Sequence, residues 1–472
     1  MPDEPATEEG VASPGNARLY ALFAIVVAGT ALGGLTQTAL NTMASVVLED
    51  LGTDIGWGQW LATIYIFSMG AAVPLASFVQ RRFSVRTLML ASFALYLVGS
   101  ACDFAAVSFP MLIIGRVLEA VATGVLMPLL QTIAMTRFPE NRHGTAMGIA
   151  GIALGFAPNI GPTVGGAIVT AAGWRFMFLV LMVASVALIL ATVALVRERD
   201  VREPAATLDW ASLALSTAGF GGMLLGFTAA ANMPLSEPLV WAPVALGAAA
   251  IVVFCRRQRS LESAGRLQLV NLRIFERQPY RASLAVQLLM YGCFMGMTLI
   301  IPLFVVEVGG HTPFEAGLVL LPGAIAALVF EPGAGIASDR FGPRRVAIFG
   351  GACLAAGALS IAFVPADAPL WIPAACQALR CVGLTSLIPT TTAHGLGSLG
   401  KAGLTTDGSA AMIMLRQIAA ALATAVMVCL VKALETAPDA ALGYHAALGF
   451  SGMLGLGALA CAILFIGRKS AS

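Results

Sequence analysis

Two opposite charges lie inside one long apolar stretch of the sequence, LIIGRVLEAVATGVLMPLL at residues 112–130. Arg116 and Glu119 are three positions apart, so on a helix they share one face and can touch. A charge at the centre of a bilayer costs about 3 kcal/mol and usually marks a pathway. A carboxylate beside an arginine can carry a proton there, because small changes in solvation move it between charged and neutral forms. The alternative is a self-neutralising pair that only lowers the cost of insertion.

The composition predicts a polytopic membrane protein with no enzymatic site. The 472 residues are 58% hydrophobic and 11% charged, with a mean hydropathy of +0.87, which exceeds what a soluble core could bury. The eight cysteines show no metal-like spacing, and the chain lacks the Gly-Lys loop that cradles phosphates. We therefore expect no metal, no cofactor, no nucleic-acid partner and no use of ATP as an energy source.

Apolar runs of the length that crosses a bilayer, about 20 residues, recur along the chain. They predict an all-α fold of fourteen spans, in two six-helix bundles joined by two linker helices. The predicted spans are 20–47, 57–79, 87–104, 108–136, 143–171, 174–196, 209–231, 238–255, 281–306, 314–337, 345–365, 369–395, 404–432 and 443–467.

The basic residues predict the orientation. With both termini in the cytoplasm, 22 of the 27 Lys and Arg residues fall on the cytoplasmic side and only two on the other, as the positive-inside rule requires. The loops RRFSVR and DRFGPRR share Arg-Phe-x-x-Arg at an offset of 258 residues, which indicates a repeat of two bundles with a substrate site between them. We divide the chain into a disordered cytoplasmic tail (1–19), a first bundle (20–200), a linker pair (201–256), a cytoplasmic loop (257–280) and a second bundle (281–468).

Depth along the predicted helices separates the charges that could work at the membrane centre. At about 1.5 Å per residue, Arg116, Glu119, Arg380 and Arg416 all lie near the midplane. Glu119 is the only carboxylate expected there, since Glu331 and Asp407 are placed near the ends of their spans. We predict Glu119 with Arg116 as the proton-coupling site, and Glu331 and Asp407 as the next candidates.

Three arginines against one carboxylate predict a net positive centre, which favours neutral, zwitterionic or weakly anionic amphiphiles as substrates. Each uncharged cavity candidate could instead be a packing residue. The predicted cavity residues are Gln37, Asn41, Gln131, Gln287, Tyr291, Phe294, Met297, Arg380 and Arg416.

Two further motifs have a mechanical interpretation. In the fifth span, prolines remove backbone hydrogen bonds and bend the helix, while glycines four apart allow tight packing. In the loop after the tenth span, Gly335 permits close helix approach, and Asp339 and Arg340 are expected to form an ion pair that breaks as the halves move. The residues in question are Gly155, Pro158, Gly161, Pro162, Gly165 and Gly166 in the span, and Gly335, Asp339, Arg340, Gly342 and Arg344 in the loop.

These motifs resemble the major facilitator superfamily, and within it the fourteen-span drug:proton antiporters of the QacA and EmrB type. GIALGFAPNIGPTVGG at 151–166 is similar to the antiporter motif of that family, and GRVLEAVATGVLMP at 115–128 is similar to its fourth-span motif. Other segments look closest to the lincomycin-resistance (LmrB-like) branch. The chain departs from the pattern at Thr36, where an acid is usual, and at Arg81 and Ser84, where Asp and Gly are usual. A gating ion pair is therefore expected only from the second half.

The resemblance implies a multidrug or antibiotic efflux transporter, driven by protons through alternating access. It would be a multi-pass protein of a bacterial cytoplasmic (inner) membrane, acting as a monomer on small amphiphilic drug-like substrates. The alternatives are an exporter or flippase of an endogenous lipid or secondary metabolite and, less favoured, a proton-coupled importer.

Overall fold

The structure is a computed structural model that describes residues 14–53, 58–197, 208–233, 236–365, 367–434 and 441–467. Within these ranges the chain is helical and contains no strand. The α-helices are α1 (Pro14–Asp50), α2 (Gly58–Arg82), α3 (Val85–Phe104), α4 (Phe109–Arg137), α5 (His143–Gly151), α6 (Ala157–Ala172), α7 (Trp174–Leu195), α8 (Trp210–Asn232), α9 (Pro238–Ser263), α10 (Gln278–Leu303), α11 (Pro313–Phe341), α12 (Pro343–Ala362), α13 (Trp371–Gly397), α14 (Thr405–Ala433) and α15 (Ala441–Phe465).

The described residues contain fourteen helical segments that are long and apolar enough to cross a membrane, as the sequence predicted. The fifth segment joins α5 and α6 into one span. Two boundaries differ most from the prediction, because helices need not end where apolarity ends. Helix α9 continues to Ser263, past Arg256 and Arg257, and α1 begins at Pro14 within the stretch predicted to be a disordered tail. Residues 1–13 of that tail lie outside the described residues.

The fifth span is irregular at its centre. Between α5 and α6, residues Ile152–Phe156 form a π-helical turn, a form that often occurs at functional sites. The irregularity follows from the sequence, because Pro158 and Pro162 have no N–H to donate to the preceding turn. The carbonyl of Pro158 therefore lacks a donor within its own helix. Thr38 on α1 donates its hydroxyl to this carbonyl over 2.7 Å.

The two bundles share a core at one end and have separate cores elsewhere. We call the end that carries the loops at 81–86, 137–142, 256–281, 340–345 and 401 the basic side. The buried apolar cluster there draws residues from α1–α5 and also from α10, α13 and α14. Two other clusters belong to the first bundle alone and to the second bundle alone. The two halves are therefore packed together on the basic side.

Helices α8 and α9 pack on each other, and α8 bridges the bundles by contacting α2 and α14. An ion pair joins their basic ends, where Asp209 accepts two hydrogen bonds from Arg257, each 2.8 Å long. The Arg257 guanidinium is the main cause that lowers the pKa of Asp209 to about 2. Buried Gln258 donates to Ser212 over 2.7 Å and accepts from the backbone N–H of Leu269. The linker pair thus also holds the loop that leads into α10.

Candidate functional site

Arg116 and Glu119 form the buried ion pair that their spacing predicts. Arg116 Nη1 lies 2.9 Å from Glu119 Oε2, and both side chains are almost fully buried. Ser100 on α3 donates its hydroxyl to the other carboxylate oxygen over 2.7 Å. Arg116 Nη2 donates to the backbone carbonyl of Thr36 on α1, 3.1 Å away. The pair is therefore fixed by three helices of the first half.

A cluster of hydroxyl groups adjoins this pair. The hydroxyls of Tyr65, Tyr96 and Thr123 lie within 2.7–3.1 Å of one another, and the hydroxyl of Thr36 lies 3.1 Å from that of Tyr96. The Arg116 guanidinium stacks over the Tyr65 ring at 4.2 Å, a favourable cation–π distance. Thr36, which replaces the usual acid of the family, is thus part of a neutral hydroxyl network.

Asp103 is a buried carboxylate that the sequence analysis missed. It lies on α3 with no exposed surface, and neither of its oxygens has a hydrogen-bond partner among the described residues. It packs against Gly115, where a Cβ would overlap the carboxylate. The only sequence signal was an acid just inside the end of an apolar run.

Glu331 lies deeper than the sequence predicted, which corrects its placement near the end of a span. Helix α11 continues to Phe341, so Glu331 is ten residues, or about 15 Å, inside it. The side chain is fully buried, and neither carboxylate oxygen has a partner among the described residues. It projects across the boundary between the halves onto Gly151 and Gly155. Both glycines lie in the stretch 151–166 that resembles the antiporter motif.

The buried charges correct the prediction that Glu119 is the only deeply buried carboxylate beside the three arginines. Asp103 and Glu331 are as deeply buried as Glu119, and Arg380 and Arg416 are as buried as Arg116. Most of these buried arginines and acids are not paired with one another, however. Among the described residues, Arg116 is the only one of the three arginines within 4.0 Å of a carboxylate oxygen.

Asp407 forms an ion pair with Arg81, which corrects the expectation that only the second half supplies the gating pair. Arg81 Nη2 on α2 contacts both oxygens of Asp407 on α14, at 2.9 and 2.7 Å. The backbone N–H of Asn271 also donates to Asp407, over 3.1 Å. This contact ties the first half, the loop before α10 and the second half together on the basic side.

Asp339 does not form the expected ion pair with Arg340. Its carboxylate accepts instead from the backbone N–H groups of Gly144 and Thr145, over 2.8 and 2.7 Å, and from the Thr145 hydroxyl. These N–H groups are at the start of α5, where helices have unsatisfied donors and attract negative charge. Arg340 is exposed, and Gly335 lies so close to Gly144 that a Cβ would overlap the backbone.

The remaining loop residues surround this contact. Gly342 has a φ of +84°, a conformation that only glycine adopts readily, and it ends α11. Exposed Arg344 donates to the carbonyl of Ile463 over 3.3 Å.

The predicted cavity residues occupy different environments. Buried Gln131 accepts from Ser409 across the two halves over 2.5 Å, and buried Gln287 donates to Thr391 and Thr392 within the second half. Gln37 is half-buried, and the side chain of Asn41 lies outside the described residues. The other predicted cavity residues are buried in the second half: Tyr291, Phe294, Met297, Arg380 and Arg416.

The outer part of the antiporter motif packs within the first half. A Cβ at Gly161 would overlap the Thr38 side chain, and a Cβ at Gly165 would lie 2.5 Å from the carbonyl oxygen of Ala39. Gly166 has open space instead. The motif therefore has two faces: Gly161 and Gly165 fit α1, and Gly155 fits Glu331 of the other half.

Two six-helix bundles, closed on one side and carrying buried charges at their boundary, define a membrane transport protein. The chain belongs to the Major Facilitator Superfamily, whose sequence profile matches residues 26–424. It is 30% identical to the uncharacterized MFS-type transporter YcnB of Bacillus subtilis, over 86% of this chain and 84% of that protein. It is 28% identical to the lincomycin resistance protein LmrB of Listeria monocytogenes, over 85% and 84% of the two chains.

A solved structure shows the same fold. The human organic anion transporter MFSD10 (TETRAN) superposes with a TM-score of 0.64 at 13% identity, covering 95% of this chain and 100% of that one. The family resemblance and the fourteen-span helical fold predicted from the sequence are thereby confirmed.

Proposed function

We propose that this transporter is a proton-coupled exporter of small amphiphilic, drug-like molecules that works by alternating access. Its similarity to a protein named for lincomycin resistance supports a drug-like substrate. The excess of Lys and Arg in the loops of the basic side supports cytoplasmic termini in a bacterial inner membrane. The structure, closed on the basic side, then represents a state that is closed to the cytoplasm. We propose a monomer as the working unit, since each bundle pair encloses its own site.

The observation that carries this proposal is the position of Glu331. The carboxylate is fully buried without a partner and lies against Gly151 and Gly155 of the opposite half. An unpaired negative charge would be very costly there, whereas a neutral carboxylic acid is tolerated. The contact between the halves thus fits the protonated side chain. Opening the basic side would bring Glu331 to water, where it can release the proton.

This arrangement gives a cycle with a defined order. Glu331 takes a proton from the outer side while the basic side is closed, and the neutral acid then fits the contact between the halves. After the halves rock, the proton leaves to the cytoplasm and substrate loads. One charge that moves down the membrane potential releases about 2.3 kcal/mol per 100 mV, enough to drive a useful gradient at one proton per cycle.

Glu119 remains the second candidate for proton coupling. Its partners Arg116, Ser100 and Thr36 all lie in the first half, so rocking of the halves as rigid bodies would not separate them. Its interaction with Arg116 stabilises the ionised form, which makes the pair a structural element of the first half in our proposal. Thr36 supplies no acid there, and Asp103, packed against Gly115, is the other buried carboxylate of that region.

A proteoliposome assay with two substitutions tests the proposal. We expect Glu331→Gln to abolish transport driven by a pH gradient, while exchange of substrate without a gradient continues, because glutamine mimics the protonated acid but cannot release a proton. Glu119→Gln should retain pH-driven transport, with a lower rate if the pair with Arg116 supports the fold. A substrate for the assay can be chosen by a susceptibility panel of a pump-deleted bacterium at two external pH values.

The exposed residue Glu276 provides a matched control, since Glu276→Gln alters an acid on the surface of the basic side. If pH-driven transport persisted unchanged in Glu331→Gln, then Glu331 would not be the coupling site. If only Glu119→Gln lost it, the proton would be carried by the pair in the first half.

A further inference from the structure

Two arginines in the core of the second half have unsatisfied hydrogen-bond donors. Arg380 on α13 and Arg416 on α14 are exposed by only 0% and 3%. Arg380 Nε donates to Gln377 over 2.8 Å, but its Nη1 has no partner within the described residues. The same is true of Nε and Nη1 of Arg416. Arg116 also has an unpartnered Nε, but its two terminal nitrogens are bound by the Glu119 carboxylate and the Thr36 carbonyl.

The two guanidinium groups bracket one aromatic pair on α10. The Arg416 guanidinium lies 4.5 Å from the centre of the Tyr291 ring, and that of Arg380 lies 5.7 Å from the Phe294 ring. The two rings are 6.2 Å apart and perpendicular. Because Tyr291 and Phe294 are three residues apart, they share one face of α10. Both arginines therefore point to the same face.

No protein acid neutralises this pair of cations in the part of the chain that the structure describes. Of the two buried acids that the structure describes in the second half, Glu331 is directed at Gly151 and Gly155 of the first half, and Asp407 is paired with Arg81. A buried charge with unpaired donors is strongly destabilising, so such groups are normally paired. The planar fork of a guanidinium matches a carboxylate, sulfonate or phosphate, which accepts two parallel hydrogen bonds.

We propose that Arg380 and Arg416 form the binding site for the anionic group of the transported substrate, an amphipathic organic anion. The anion is held between the unpaired donors of the two arginines, and its aromatic or apolar body packs on Tyr291 and Phe294. A cationic substrate would meet two like charges and two rings already occupied by cations. Both side chains are buried in this conformation, so the site is occluded here. This inference rests on the proposed transport function and specifies its substrate class.

The test is equilibrium binding to the purified full-length protein in nanodiscs, without a proton gradient. Three probes share one ring system and differ in charge: 1-naphthylacetate, 1-naphthylacetamide and 2-(1-naphthyl)ethylammonium. We expect tritiated naphthylacetate to bind saturably, with the amide at least about tenfold weaker and the ammonium weaker still, because charge-assisted hydrogen bonds are lost. Binding should weaken by about tenfold or more in Arg380→Gln and in Arg416→Gln.

Arg266→Gln, which alters an exposed arginine on the turn after α9, should bind as the wild type does. Arg416→Lys keeps the charge without the fork and should lie between the wild type and Arg416→Gln. The probe comparison on the wild-type protein needs no variant to fold. Equal affinity for the three probes, no measurable naphthylacetate binding, or unchanged binding in both glutamine variants would overturn the proposal.

The outcome is separable from the proton-coupling proposal. Glu331→Gln should still bind naphthylacetate, since Glu331 contacts Gly151 and Gly155 and forms an ion pair with neither arginine. A wild-type protein that preferred the ammonium probe would exclude an anionic substrate and leave proton-coupled export in place. Anion binding together with transport that does not respond to pH would support the anionic substrate and exclude proton-coupled export.

Discussion

Glu119 and Glu331 are equally buried but differ in what surrounds the carboxylate. Glu119 has Arg116 and Ser100 as hydrogen-bond partners within its own half. Glu331 has no such partner among the described residues and touches two glycines of the other half. Burial alone therefore does not identify a coupling residue. A carboxylate whose surroundings change when the halves separate is the better proton carrier, because the free energy of its two protonation states then depends on conformation.

The fit between Glu331 and Gly155 gives a prediction at this scale. Gly155→Ala places a methyl group where Oε1 of Glu331 now lies, and either the carboxylate or α11 must move. Overpacking of this kind costs about 1–3 kcal/mol. We expect a lower melting temperature of the purified protein in detergent and slower pH-driven transport.

A double-mutant cycle isolates this contact. In a Glu331→Ala background the added methyl group has room, so Gly155→Ala should then have little effect on the melting temperature. The control is Gly333→Ala on α11, where a Cβ meets nothing within 4 Å. An equal decrease from Gly155→Ala in both backgrounds would show that the two side chains do not interact.

The irregular fifth span is the element that connects the packing of the first half to the boundary between the halves. Its π-helical turn lies beside the Glu331 contact, and its outer part α6 fits closely against α1. Thr38 and Thr42 of α1 donate to the carbonyls of Pro158 and Pro162, over 2.7 and 3.2 Å. Pro162 has no N–H to donate to the Pro158 carbonyl, and the Thr38 hydroxyl of α1 satisfies that carbonyl instead. Small residues make that approach possible, as is typical of helix pairs in membranes.

Adjacent glycines of α6 provide a matched pair of substitutions. Gly165→Leu directs a side chain into the α1 backbone, where the Ala39 carbonyl oxygen lies 2.5 Å from the Cβ position, and Gly166→Leu directs the same side chain into open space. We expect Gly165→Leu to destabilise the protein by about 2 kcal/mol and Gly166→Leu to leave the melting temperature nearly unchanged. Equal melting temperatures of the two variants would contradict the close packing of α1 and α6.

At the scale of the whole molecule, the basic side is closed by two different polar contacts at equivalent positions of the repeat. Arg81 and Asp339 are 258 residues apart and stand at the ends of equivalent helices, α2 and α11. Arg81 pairs with Asp407 in the first turn of α14, and Asp339 binds the first N–H groups of α5. In the first contact the acid, Asp407, is on α14 and its partner is at the end of α2. In the second contact the acid, Asp339, is itself at the end of α11. Each contact therefore joins a negative group of one helix to a positive group of the other half.

A charge exchange tests whether the Arg81 contact holds the basic side closed. We expect Arg81→Asp to increase hydrogen exchange in the first turns of α5 and α14, because a largely buried ion pair is replaced by two acids, at a cost of about 3–5 kcal/mol. Combining Arg81→Asp with Asp407→Arg should restore protection.

Arg277→Gln, at an exposed position on the same side, is the control and should exchange as the wild type does. If Arg81→Asp left the exchange of both helices unchanged, the pair would not contribute to closure.

The sequence by itself determined the number of spans, the family and the Arg116–Glu119 pair. Lipid requires apolar helices of a minimum length, and residues three apart on a helix meet whatever the tertiary structure. Only the tertiary structure decided that Glu331 faces Gly155, that Arg81 binds Asp407 and that Asp339 binds α5. Such contacts join residues hundreds of positions apart, and they depend on how each helix is rotated and how far it extends. The periodicity of a helical sequence specifies which side chains share a face. It gives neither the rotation of the helix against its neighbours nor the residue at which the helix ends.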